Sequence, residues 1–163
     1  MNRIIQAISA FVLTISSSAA MADVAIISHP DTKVGDIDTG SIRNVFLGER
    51  NSFPNGIYAY PINHKQGSPD RETFFSSVLS MSEKAHDRHW KRKQATTTGY
   101  RPIEVSSYED LLESVASTPG SIGYIDAGMV DDSVRVLMTI QTDDKVYDGN
   151  VYANNAPDIA MPE

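Results

Sequence analysis

The fold is decided by the stretch Thr118-Pro119-Gly120-Ser121-Ile122-Gly123-Tyr124. Its proline and glycine end a helix, and the residues that follow, 121–125, are typical of a strand. A helix start lies upstream, in Gly67-Ser68-Pro69-Asp70-Arg71. There Ser68 is a capping residue and Pro69 suits the first helical position. The two stretches therefore predict a domain in which strands and helices are layered on each other.

Strand and helix signals alternate over most of the chain. Strands are predicted at Val24–Ile27, buried on both faces, at Ile57–Ile62, ending near Pro61, at 121–125 and at Val134–Met138. Helices are predicted from the polar residues 36–39 to Gly48, from Ser68 through Leu79, from Ser80 or Ser82 through Trp90, and from the capping pair Ser106 and Glu109 to Thr118. This alternation indicates an α/β fold, a small mixed sheet covered by helices.

The first 22 residues have the layout of a secretory signal. Arg3 precedes the apolar run Ile4–Ile15, and the small residues Ala20-Met21-Ala22 suit cleavage before Asp23. A membrane anchor is the alternative, but the run falls short of the roughly 20 residues that span a bilayer. We therefore expect a signal peptide at 1–22, a domain at 23–140 and a loose polar tail at 141–163, with the cleaved protein in the periplasm and not inserted in a membrane.

Composition limits the classes of function. There is no cysteine, so the domain must be held together by an apolar core. Without residues 1–22, 13 basic and 21 acidic residues leave a net charge of −8, which argues against nucleic acid as a partner. No cysteine nucleophile, G-x-S-x-G elbow or glycine-rich phosphate loop is present. We expect no enzyme activity and no cofactor.

The helix start at Ser68 is the candidate functional site. The first N–H groups of a helix lack partners within the helix and attract anions. Ser68 adds a hydroxyl, Arg71 a guanidinium and His64 a further donor just upstream. The alternative is that Ser68 only caps the helix and Arg71 points into water. Asp70 in the first turn would then balance the helix dipole and repel a phosphate.

A basic run surrounds the single tryptophan, Trp90. Its members are Lys84, His86, Arg88, His89, Lys91, Arg92 and Lys93. The run would suit an anionic ligand, a lipopolysaccharide surface or an acidic partner, but most such runs are solvated helix faces. His86 and His89 are one turn apart, yet two histidines without a placed third ligand make a poor metal site, so we expect no metal.

Several motifs in order resemble the second lobe of the substrate-binding proteins of phosphate ABC transporters. They are Ile42-Arg43-Asn44-Val45-Phe46-Leu47-Gly48, Pro54-Asn55-Gly56, Gly67-Ser68, Phe74, Trp90, Gly99, Pro102 and 119–124, and they span about 24–125. That family has a type 2 periplasmic-binding fold of two α/β lobes. The resemblance therefore implies a single lobe of that fold, and phosphate or a similar oxyanion as ligand.

The resemblance is uneven in the family's phosphate loop. The family serine falls on Ser68, the glycine on Pro69 and the threonine on Asp70, while the arginine falls on His64. The oxyanion-binding residues that we expect are thus Ser68, Asp70, Arg71 and His64.

Two functions stay open at this point. One is oxyanion binding, as an accessory to uptake or as a sensor, with a membrane transporter or sensor protein as partner. The other is a periplasmic interaction module, which includes homodimerisation.

Overall fold

Five strands and four α-helices make up the part of the chain that our computed structural model describes, residues 23–96 and 100–141. The strands are β1 (Val24–Ser28), β2 (Tyr60–His64), β3 (Ile103–Val105), β4 (Ser121–Asp126) and β5 (Arg135–Ile140). The helices are α1 (Thr39–Phe46), α2 (Pro69–Phe74), α3 (Glu83–Thr96) and α4 (Tyr108–Ser117), with a π-helical turn at Phe75–Leu79 and a 3-10 turn at Ala127–Met129. The predicted signal peptide and residues 142–163 of the predicted tail lie outside the described residues.

The strands form one mixed sheet in the order β3-β2-β4-β1-β5. Strands β2, β3 and β4 run parallel to one another, whereas β1 is antiparallel to both β4 and β5. The three parallel strands therefore finish at the same end of the sheet, at His64, Val105 and Asp126. We call this the carboxyl end, and we call the opposite end, where Tyr60, Ile103 and Ser121 lie, the amino end.

Strand β1 is the centre of the core. Val24 and Ile26 pack into one apolar cluster, beneath α1, α2 and the π-helical turn, and Ala25 and Ile27 pack into a second cluster that includes Leu111 of α4. Every residue of β1 is buried, which confirms the expectation that this strand is covered on both faces. Each large apolar side chain buried in this way stabilises the fold by about 1.5–3 kcal/mol.

Local capping explains where two of the helices begin and end. The Asp38 carboxylate accepts a hydrogen bond of 2.7 Å from the Ser41 N–H and starts α1. Gly48 follows this helix with φ +64°, and a Cβ at Gly48 would lie only 2.7 Å from the Trp90 ring. The second helix continues through the π-helical turn and stops at Ser80, whose φ is 52°.

Two local expectations were wrong, and one strand was missed. Pro61 lies inside β2 instead of ending it. Successive residues of a strand point their N–H groups to opposite sides, and the Tyr60 N–H donates to Gly120, next to β4. The N–H that Pro61 lacks would therefore face β3, but pairing with β3 begins only at Ile62, so no hydrogen bond is lost. Helix α4 is capped one residue later than expected, by Ser107 with Asp110. Strand β3 was not predicted at all. The mixed sheet covered by helices is confirmed.

Candidate functional site

Three helical segments begin at the carboxyl end of the sheet. Each follows one of the parallel strands, and each is capped by the side chain of the residue just before it. Ser68 accepts from the Arg71 N–H at 3.3 Å, Ser107 from the Asp110 N–H at 3.1 Å, and Asp126 from the Gly128 N–H at 2.7 Å. In open α/β sheets, ligands bind beyond the carboxyl ends of the strands. The predicted site residues therefore lie at the end of the sheet where a ligand is expected.

The Asp70 carboxylate lies in the first turn of α2. It is buried, and its Oδ2 accepts a hydrogen bond of 2.9 Å from the Asp126 N–H. The neighbouring Tyr108 shows the effect of this carboxylate: burial raises the pKa of the Tyr108 hydroxyl, and the negative charges of Asp70 and Asp126 raise it further. A carboxylate already bound at this position competes with any anion that approaches the helix.

His64 is the last residue of β2 and lies next to Asp70. It is buried, and its Nε2 lies 3.7 Å from Asp70 Oδ2, too far for a hydrogen bond. The ring meets Tyr108 and Tyr124 edge-on, with centroids 5.3 and 5.5 Å away. Burial lowers the pKa of His64, although Asp70 acts in the opposite direction, so the neutral imidazole is favoured at pH 7. His64 therefore offers a polar nitrogen rather than a full positive charge.

The Arg71 side chain is fully buried and hydrogen-bonded to other parts of the chain. The guanidinium makes a two-point contact with Glu83, with Nε at 2.6 Å and Nη2 at 3.1 Å. Nη1 donates to Glu104 at 2.9 Å and to the His64 carbonyl. Burial on its own would lower the pKa of Arg71, but the hydrogen bonds to Glu83 and then Glu104 outweigh it, so the pKa is raised.

The four predicted site residues thus meet in one cluster, but in unequal positions. Ser68 is partly exposed, whereas His64, Asp70 and Arg71 are buried. The capping role of Ser68 is confirmed, and the alternative in which Arg71 points into water is wrong. The Arg71 guanidinium is buried, and its donors already contact two carboxylates and the His64 carbonyl. Oxyanion binding by the cluster stays a prediction.

Sequence reasoning missed four residues of this site. Glu83 and Glu104 hold Arg71 from 12 and 33 residues away, and Tyr108 and Asp126 border Asp70. Only Asp126 had a usable signal, since a polar residue that directly follows a buried strand of an α/β sheet lies at the ligand end. The others become neighbours only through the order of the strands.

The basic run on α3 divides into two sets. Trp90 and His86 are fully buried, and the indole Nε1–H donates to His86 Nε2 at 3.0 Å. Burial, followed by the charges of Arg71 and Arg101, lowers the pKa of His86 to about 4. The remaining members include the exposed cations Lys84, Arg88, Lys91 and Arg92. For these four, the expectation of a solvated face is confirmed.

Two searches within residues 23–96 and 100–141 were negative. No helix in this part is long and apolar enough to cross a bilayer. The same residues contain no group of three or more histidine, cysteine, aspartate or glutamate side chains placed to hold a metal ion.

Comparison with known proteins identifies the fold. No protein-family model and no curated protein matches the sequence. Among solved structures, the chain is similar to a protein from Clostridium perfringens described as a phosphate ABC transporter substrate-binding protein with bound phosphate (TM-score 0.57, 19% identity, 72% of this chain and 46% of that one). It is also similar to an ABC-type phosphate transport receptor from Vibrio cholerae (0.55, 15%, 73% and 47%) and to PstS from Borrelia burgdorferi (0.54, 19%, 71% and 47%).

These likenesses define the class of fold. The chain has the architecture of one lobe of a phosphate-type substrate-binding protein, as the resemblance of its motifs implied. It spans slightly less than half the length of the proteins that it matches. Those neighbours are described as substrate-binding or transport-receptor proteins. At 19% identity or less the likeness concerns the fold alone.

Proposed function

We propose that this protein is a periplasmic, solute-binding-type protein that binds phosphate or a related oxyanion at the carboxyl end of its sheet. In this proposal residues 1–22 direct export and are cleaved, and the domain serves as an accessory to uptake or as a sensor, next to a membrane transporter or sensor protein. The protein binds its ligand without a cofactor and without catalysing a reaction.

The observation that carries the proposal is the convergence of three helix starts on one end of the sheet, with Ser68 partly exposed among them. Helix starts present N–H groups and a partial positive charge, which suit an oxyanion. The structural neighbours include a protein solved with bound phosphate, which supports the same ligand class.

The charges around Ser68 predict low affinity. An oxyanion beside Ser68 would contact its hydroxyl. Arg71 would act indirectly, because its hydrogen bonds to Glu83 and Glu104 hold α2 against α3 and β3. The Asp70 carboxylate opposes binding. Two like charges 4–5 Å apart repel each other by about 3–4 kcal/mol at an effective dielectric constant of 20. We therefore expect binding in the millimolar range, with Asp70 as the main obstacle.

Removal of that obstacle provides the test. Asp70→Asn keeps an oxygen that can accept from the Asp126 N–H but removes the negative charge. We expect calorimetric titration to show that phosphate binds this variant at least about tenfold more tightly than the unaltered protein. Asp132→Asn is the matched control, because Asp132 lies exposed in the turn before β5, outside the three helix starts, and the change in net charge is the same.

Two results would contradict oxyanion binding at this site. One is the absence of heat from both the unaltered protein and Asp70→Asn at about 10 mM phosphate, where even a weak site is occupied. The other is an equal gain for Asp70→Asn and Asp132→Asn, which would show that net charge, and not the start of α2, governs the interaction.

A second candidate function rests on a different observation. The strongest polar groups of the cluster, the Arg71 guanidinium and the Asp70 carboxylate, bind other groups of the same chain. A protein that uses this face to contact an envelope partner, or a second copy of itself, needs no solute. Sedimentation would reveal a homodimer, and a pull-down from envelope extract should recover a specific partner. A monomer that recovers only ribosomal and heat-shock proteins would count against this alternative.

A further inference from the structure

A groove of about 1100 Å³ lies at the amino end of the sheet, opposite the site around Ser68. The start of β2 forms one wall, the loop that follows α1 forms another, and residues 100–103 complete it. Its volume is slightly above the roughly 300–1000 Å³ that is usual for ligand pockets. The groove is large enough for an extended ligand with several rings.

Apolar side chains are concentrated in this groove. Of the seven large apolar side chains that are exposed in the described residues, four line it: Tyr58 (44% exposed), Tyr60 (45%), Tyr100 (84%) and Ile103 (66%). Single exposed apolar residues are ordinary, whereas a group of them marks a surface that binds something.

The two tyrosines of the wall are held in place by the backbone. Their rings contact each other, with centroids 4.8 Å apart and planes inclined by 47°. Gly120, whose φ is +88°, lies against the Tyr58 backbone and the Tyr60 ring, and a Cβ at this position would be 2.5 Å from the Tyr58 carbonyl oxygen and 3.3 Å from the Tyr60 ring. The Tyr60 N–H donates to the Gly120 carbonyl at 3.0 Å. Tyr58 and Tyr60 therefore form a preformed aromatic platform.

The groove also carries one cation without an ionic partner. Lys93 contacts Glu49 at 3.1 Å, and Arg101 lies between Asp87 and Glu104, at 2.8 and 3.3 Å. Arg50 is exposed and makes no ion pair with any described residue. An exposed guanidinium beside an aromatic platform favours a ligand that combines flat apolar faces with a carboxylate.

An added peptide strand fits this groove poorly. At Tyr60 and Pro61 the outer edge of β2 is not yet covered by β3, but Pro61 has no N–H to offer on that side. Strand addition depends on main-chain hydrogen bonds along such an edge. The ligand must therefore be recognised mainly by side chains.

We propose that the groove binds an oligosaccharide that carries carboxylate groups. The faces of aromatic rings are electron-rich, so the C–H faces of a sugar stack favourably on Tyr58 and Tyr60. Asn51 and Ser52, which also line the groove, supply partners for hydroxyl groups, and Arg50 receives a carboxylate. This activity is separate from oxyanion binding around Ser68, and neither proposal depends on the other.

Titration with tetragalacturonate tests the proposal, with maltotetraose as the uncharged comparison. NMR and calorimetry should show binding of tetragalacturonate at low-millimolar concentration or below, and binding of maltotetraose at least about fivefold weaker. Tyr60→Ala should weaken tetragalacturonate binding at least about tenfold, whereas Tyr60→Phe, which keeps the ring, should change it less than about threefold. Arg50→Met should reduce affinity for tetragalacturonate to about that for maltotetraose.

The control is Met129→Ala, because Met129 is as exposed as Tyr58 but does not line the groove. It should leave affinity unchanged, and circular dichroism should confirm that every variant is folded. Three outcomes would overturn the proposal: no tetragalacturonate binding at about 10 mM, equal affinity of Tyr60→Ala and the unaltered protein, or equally tight binding of tetraglutamate, which would indicate charge alone. None of these outcomes concerns phosphate binding, so the two proposals can fail separately.

Discussion

The two ends of the sheet differ in how their polar and aromatic groups are used. At the carboxyl end, Arg71 and Asp70 are buried and bound to other parts of the chain. At the amino end, Tyr58, Tyr60 and Arg50 remain exposed around a groove. Two of the residues most typical of a binding site, Arg71 and Asp70, therefore stabilise the fold, and Ser68 is the partly exposed member of the predicted site. The aromatic and basic side chains at the amino end remain accessible.

The largest expected effect comes from the buried arginine. Arg71→Met leaves Glu83 and Glu104 without their shared cation. Because these two carboxylates are 21% and 38% exposed, we expect a loss of about 3 kcal/mol, the lower end of what breaking a fully buried ion pair costs. Urea unfolding followed by circular dichroism measures the change. Arg88→Met is the control, because Arg88 is exposed on α3. Equal losses for the two variants would mean that the Arg71 contacts contribute little.

The next effect depends on pH and comes from His86. Its pKa of about 4 in the folded protein lies below the usual value of about 6.5 in the unfolded chain. The unfolded chain therefore binds protons more readily between these values. The free energy of unfolding is therefore not reduced by His86 above pH 6.5, and it falls by up to about 3 kcal/mol as the pH drops to 4.

The matching variant for this prediction is His86→Gln, which keeps a group that can accept from the Trp90 indole. Urea unfolding at intervals between pH 4 and about 7 should show a shallower loss of stability for His86→Gln than for the unaltered protein. Parallel curves would show that other groups, such as the carboxylates, cause the whole dependence.

A smaller effect is expected at the amino end. Gly120→Ala places a Cβ 2.5 Å from the Tyr58 carbonyl oxygen, whereas Gly56→Ala, at nearly the same φ of +86°, meets nothing within 4 Å. Both variants suffer backbone strain. The steric clash should make Gly120→Ala less stable than Gly56→Ala by about 2 kcal/mol. Thermal unfolding of the pair isolates that clash, and identical melting temperatures would show that the platform is easily deformed.

The smallest effect concerns the capping serine. Ser68→Ala removes the acceptor for the Arg71 N–H and should cost about 1 kcal/mol, as should Ser107→Ala at the start of α4. Phosphate titration then separates the two roles of Ser68. We expect Ser68→Ala, but not Ser107→Ala, to abolish the added affinity of Asp70→Asn. If both double variants keep that affinity, the hydroxyl of Ser68 serves only the helix.

Local signals were sufficient for most of the fold. The β-branched run of β1, the Asp38 cap of α1 and the Ser68-Pro69 start of α2 each combine residue types that favour one structure, and each element forms where it was predicted. Strand β3 gave no such signal, because its three residues are stabilised by pairing with β2 and by the contact between Glu104 and Arg71.

The site was harder to predict for a related reason. A sequence shows that Arg71 follows a helix cap, but the direction of its side chain depends on Glu83 and Glu104, which the fold brings near from later in the chain. Likewise, the groove collects side chains from the loop after α1, from β2 and from residues 100–103. The spacing of residues along the chain does not predict such long-range contacts until the order of the strands is known.

The packing of Trp90 behind Gly48 has a practical consequence. Trp90 is the only tryptophan in the sequence, Gly48 lies between its ring and the groove, and its indole nitrogen is hydrogen-bonded to His86. The tryptophan fluorescence of the protein therefore reports from one known position. Its emission should respond to a ligand that binds against Gly48 in the groove and to protonation of the His86 imidazole. The protein therefore carries an optical probe without any label.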